Sequence, residues 1–189
     1  MQPRACFLMV AIAALPQALA AQGTTAAAAT APAPSTSPVA DALRQMEQRF
    51  ARNLIAAAEA MPADKYKYRP TPAQMSFAAI QVHLANEGND VLCSKVAGVT
   101  APQRAAVDTT ATKEQLIARL KETFAFCESA FAKLDDSKLS ESTPMFGMNP
   151  SRAAAIMITV GDWADHYSQE ANYLRLNGVL PPTAQRREM

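Results

Sequence analysis

Four stretches of the chain repeat apolar residues at helical spacing, and strand-like alternation is absent. Val39, Leu43, Met46, Phe50, Leu54 and Met61 recur at intervals of three, four or seven. They mark one buried stripe on a helix from about Pro38 to Met61. Pro62 ends it, and Pro70 and Pro72 prevent its continuation. Thr71 and Pro72 make a cap and first turn for a second helix, which carries Phe77, Ile80, Leu84, Val91 and Leu92 and stops at Gly98. Thr112 and Gln115 form a capping box for a third, whose stripe is Leu116, Leu120, Phe124, Cys127, Phe131 and Leu134. A longer connection from Asp135 to Met148 follows. Asn149 and Pro150 then open a fourth helix through Ile156, Val160, Trp163, Tyr167 and Leu174, which Gly178 ends. The fold predicted is an all-α four-helix bundle with a long connection before the last helix.

Residues outside these stripes divide the rest of the chain. Arg4, the apolar run Cys6–Leu15 and the small residues of Ala18-Leu19-Ala20 read as a cleavable signal peptide over 1–20. The run is too short to span a bilayer, so the expected location is periplasmic or secreted, with no stable membrane insertion after cleavage. Residues 21–37 are an Ala/Thr/Ser/Pro segment whose side chains offer too little apolar area to offset ordering, a disordered linker. The bundle occupies 38–182, one domain with length enough for a core, and 183–189 is a tail. Without Arg4 the chain holds 17 basic and 17 acidic residues. That balance, and the lack of a basic cluster longer than Arg186-Arg187, argue against nucleic acid as a partner. Cys93 and Cys127 read either as a disulfide of an oxidising compartment or as two small buried thiols.

The chemistry concentrates on two histidines, His83 and His166, each on an amphipathic helix. Each has a carboxylate four residues away and so on its own face: Glu87 for His83, and Asp162 and Glu170 for His166. Asp162 and His166 project from one helix, and His83 can join them from across the bundle. Two imidazoles and one carboxylate with open positions suit a catalytic zinc, and nickel or iron could accept the same set. The competing reading pairs Asp162 with His166, and His83 with Glu87, by hydrogen bonds alone. Glu170 reads as solvated or as support for the ligands. The Trp163–Tyr167 neighbourhood reads as core, and no phosphate loop or Ser-His-Asp grouping can be assembled.

The run Phe77-Ala-Ala-Ile-Gln-Val-His83-Leu-Ala-Asn86, with Leu92–Gly98 after it, resembles the second helix of DinB-like proteins. Asp162-Trp-Ala-Asp-His166-Tyr-Ser-Gln169, continuing from Tyr173 to Pro182, resembles their fourth. The resemblance covers about 145 residues and implies a DinB-like bundle, often with a longer crossover connection and often a homodimer. It implies a divalent metal held by a histidine of the second helix and a late His-x-x-x-His pair. His83 and His166 match; position 162 is aspartate where the family usually has histidine. The resemblance also implies thiol-dependent transferase or isomerase activity, with bacillithiol or mycothiol as co-substrate. Two functions therefore compete. One is a metal-dependent transferase or hydrolase acting on a small molecule, with His83, Asp162 and His166 as ligands. The other is a non-catalytic envelope binding or stress-related bundle with a degenerate site, which a filled core around the histidines would favour.

Overall fold

The computed structural model describes residues 34–185. The signal-peptide reading, most of the linker and the end of the tail lie outside them. The first helix, α1, spans Pro38–Ala60, as its stripe predicts. Its burial differs in detail: Val39 is exposed, while Ala40 and the charged Glu47 turn inward. The first N–H groups of α1 find no cap in Ser37. Asp136, nearly a hundred residues later, accepts from Val39 N and Ala40 N at 3.1 and 2.9 Å.

The second helical rod is continuous from 77 to 97 but changes pitch. It comprises α2 (Phe77–His83), a π-helical turn (Leu84–Gly88) and α3 (Asn89–Ala97). Its start corrects the sequence reading. Thr71 hydrogen-bonds the Gln74 side chain, and Ser76 is the cap, its Oγ accepting from Ala79 N at 3.1 Å. The chain before it folds back, so that Tyr68 O and Tyr66 O take the Phe77 and Ala78 N–H groups at 2.9 and 2.8 Å. Gly98, at φ +69°, ends the rod in the left-handed conformation that favours glycine.

Helix α4 spans Lys113–Phe131, and both halves of the Thr112–Gln115 capping box are present. Helix α5 spans Arg152–Leu176 with Ser151 as cap, later than Asn149-Pro150 predicts. Asn149 O and Pro150 O are engaged by Ser142 Oγ and Thr143 N. Tied to the returning loop, these two residues cannot enter a helix. No strand occurs among the described residues; this loop holds only isolated bridges, Ser142 with Ser151 and Met145 with Met148.

Around the bundle, α1 packs on α4 and α5, and α3 packs on the same two. Arg44 reaches the carbonyls of Phe131 and Leu134 while Lys113 reaches those of Glu59 and Met61, so α1 and α4 are antiparallel. Asn89 meets Thr123 and Cys93 meets Cys127, so α3 and α4 run parallel. Parallel neighbours cannot be joined by a tight turn, and residues 98–112 are the crossover that results. It is pinned by Asn86, which bonds Val107 O at 2.7 Å, and by Arg104, which bonds Asp90 at 2.8 Å. Cys93 and Cys127 form a disulfide, which settles their two readings.

Trp163 of α5 fills the centre, fully buried against Phe50, Phe124 and Phe131. No described helix is long and apolar enough to cross a membrane.

Candidate metal centre

His83 is the last residue of α2, immediately before the π turn, and Asp162 and His166 lie one turn apart on α5. The two helices bring these side chains to one place. One donor atom from each lies within 4.8 Å of the other two. His83 Nε2 and His166 Nε2 each stand 3.4 Å from the same oxygen, Asp162 Oδ1. The imidazole centroids are 4.7 Å apart and the rings tilted by 55°.

Those separations discriminate between the two readings of the cluster. An N–H···O bond favours 2.7–3.2 Å, so 3.4 Å is long for a pair that exists to hydrogen-bond. Two ligands bound to a tetrahedral ion at about 2.1 Å each stand about 3.4 Å apart. Asp162 Oδ2, on the same carboxylate, is buried with no hydrogen-bond partner among the described residues and is open to a ligand. The three residues fit a divalent metal.

Burial works to raise the Asp162 carboxyl, but hydrogen bonds and charge from His166 and His83 outweigh it and hold it at about 2. The carboxylate is therefore ionised and ready as a ligand. The Asp162 hydrogen bond raises the pKa of His83 against the lowering effect of burial, with Glu87 adding to the rise. A metal at this place takes over the role that those protons play around Asp162. Glu87 Oε2 is 3.6 Å from His83 Nδ1, on the exposed rim. The other imidazole edge, Nε2, faces Asp162. The cluster grades from surface to core: the side chains of His83, Asp162 and His166 are 30, 20 and 9 % exposed.

Gly88 in the π turn faces the same carboxylate. A Cβ there would lie 3.4 Å from Asp162 Oδ2 and 3.4 Å from His83 O, in ordinary van der Waals contact with both. Glu170 differs from its solvated reading. It is fully buried and accepts a hydrogen bond from Gln81 Nε2. Burial pushes its carboxyl well above the ordinary range, against the lowering effect of that bond. Gln81 was not singled out in the sequence, although it lies four residues after Phe77 and thus within the inward stripe of α2.

A family model described as the DinB superfamily matches residues 45–173. The chain belongs to the DinB superfamily. Two DinB-like crystal structures share the fold. One, from Bacillus cereus ATCC 10987, has a TM-score of 0.63 at 12 % identity, covering 75 % of this chain and 95 % of that one. The other, YjoA from Bacillus subtilis, has a TM-score of 0.62 at 17 % identity, covering 77 % of this chain and 99 % of that one. No curated protein matches the sequence. At these identities the DinB relatives speak for the fold, and the chemistry rests on the residues of this chain.

Proposed function

We propose that the protein is an exported member of the DinB superfamily that binds one divalent metal through His83, Asp162 and His166 and uses it in a transferase or hydrolase reaction on a small molecule. The observation that carries this is the spacing of the donors, 3.4 Å from each imidazole nitrogen to one carboxylate oxygen. A divalent metal held there supplies Lewis acidity, bringing the pKa of water or a thiol toward neutrality.

The protein's own groups prepare that chemistry. Ionised Asp162 provides the negative charge, and the neighbouring Glu87 carboxylate favours the proton of His83 on Nδ1, leaving Nε2 free to ligate. The partial exposure of His83 opens one side of the cluster to solvent.

Export rests on the leader residues and is supported by the Cys93–Cys127 bond, since disulfides persist mainly in oxidising compartments. Such a compartment also favours water over a low-molecular-weight thiol as the nucleophile.

Mass spectrometry of untagged protein tests the reading. It should find about one divalent metal per chain, lost in His83→Ala and in His166→Ala. Asp162→Ala removes a ligand and should weaken binding by at least the roughly 10- to 100-fold that loss of a group supporting the ligands costs. Full retention in Asp162→Ala would leave the histidines standing and remove the carboxylate. No metal after incubation with zinc, nickel and iron would overturn the proposal.

A further inference from the structure

Beside the metal-binding cluster, the same two helices are joined a second time. Gln81 precedes His83 by two residues, Glu170 follows His166 by one turn, and α2 runs antiparallel to α5, so the two contacts are neighbours. Gln81 Nε2 donates to Glu170 Oε1, and both side chains are 0 % exposed. Their surroundings are apolar, with Phe77, Ile80, Leu84 and Leu174 equally buried on the same helices. Each keeps one buried oxygen, Gln81 Oε1 and Glu170 Oε2, without a partner among the described residues. Two apolar side chains would fill this space without leaving those atoms unsatisfied. What a hydrogen bond adds over apolar packing is direction.

Direction matters at this point of the rod. His83 closes α2, which has only seven residues, and the π turn begins at the next one. The i→i−4 ladder changes register at His83, so the rotation of α2 is set separately from that of α3. The rod is tied to α5 by a directional bond on each side of His83: Asn89 Oδ1 accepts from Trp163 Nε1 after it, and in the preceding turn Gln81 is the polar residue facing α5.

We propose that the Gln81–Glu170 hydrogen bond is a clamp that sets the rotation of α2 against α5 and so holds His83 at ligand distance from Asp162 and His166. Both are positioning residues, acting on the metal through the helices that carry its ligands. The inference rests on the metal-binding reading above.

Cobalt(II) is the probe, because its visible absorption reports ligand geometry independently of any activity, and its affinity can be read by competition with a chromophoric chelator. Gln81→Met/Glu170→Met fills the same volume without the bond. It should keep its helical content and melting temperature, yet lose 10- to 100-fold in cobalt affinity and change its absorption band. Gln81→Glu/Glu170→Gln reverses the donor and acceptor and should restore both band and affinity. Glu170→Gln alone, which retains an acceptor for Gln81, should stay within threefold of the parent. A methionine pair that binds cobalt with the parent's affinity and spectrum would overturn the clamp and leave the metal site intact. A reversed pair that fails to restore them would also overturn it. If the parent protein binds no cobalt, the metal reading itself falls, and the clamp with it.

Discussion

Two polar networks lie side by side on α5, and they are built in opposite ways. In the core, Asn89 uses both ends of its amide: Nδ2 donates to Thr123 Oγ1 at 2.9 Å, and Oδ1 accepts from Trp163 Nε1 at 2.8 Å. Cys127 Sγ lies 3.6 Å from Asn89 O, and its disulfide with Cys93 closes the group. One residue before Trp163, Asp162 begins the other network. There the contacts are long, and among the described residues Asp162 Oδ2 and His166 Nδ1 are buried without partners. A network with its polar groups paired rigidifies a fold, whereas convergent unpaired donors are what a ligand requires. The difference separates a structural centre from the candidate metal centre within a single helix.

The comparison makes quantitative demands. Trp163→Ala should cost about 3–5 kcal/mol of stability by emptying the core and leaving Asn89 half-paired, measurable by urea denaturation. Where the variant still folds, its metal content per folded chain should be unchanged. His83→Ala or His166→Ala should do the reverse. Metal affinity should fall by more than 100-fold, about 3 kcal/mol, with the metal-free stability falling by no more than about 2 kcal/mol as Asp162 loses one of its two imidazole neighbours. Isothermal titration and denaturation on the same samples check both halves. Equal losses of stability in all three variants would erase the distinction.

The disulfide sharpens it further. Cys93 and Cys127 are 34 residues apart, and replacing both with alanine should lower stability by about 2–4 kcal/mol through the freer unfolded chain. Melting of reduced and oxidised protein should show the same gap, again with metal stoichiometry retained.

The smallest effect comes from a third place, the groove between α1 and α4. Burial and the neighbouring Glu128 raise the Glu47 carboxyl from 4.5 to about 7, against the opposing charge of Arg52. The folded state therefore holds a proton there that the unfolded state releases first. Stability should decline as pH rises from about 4.5 through 7, by about 1–2 kcal/mol after solvent screening. Glu47→Gln should flatten the decline in denaturation curves taken across that range. A parent protein with no such decline would show Glu47 to be solvated.

Much of the bundle was legible because helical periodicity is a local signal. The α1 stripe, the Thr112–Gln115 box and the stops at Gly98 and Gly178 depend on residues within a turn or two of each other. The caps at Ser76 and Ser151 were misplaced for the complementary reason. Tyr68 O competes for the start of α2, and Thr143 N and Ser142 Oγ occupy Pro150 and Asn149. The candidate ligands were legible as two faces, His83 on one helix and Asp162 with His166 on another. Gln81 and Glu170 were not, because a polar residue in an apolar stripe has no visible partner until its helix is docked.

The sequence by itself determined the helices, the class of fold and the identity of three metal-competent side chains, since side-chain direction on a helix follows from spacing alone. Only the tertiary structure decided the parallel pairing of α3 with α4, the Cys93–Cys127 bond, the capping of α1 by Asp136 and the π turn beside His83. It also decided that one carboxylate oxygen stands 3.4 Å from both imidazoles. Those are distances between residues far apart in the chain. They are set by which helices pack together and in what register.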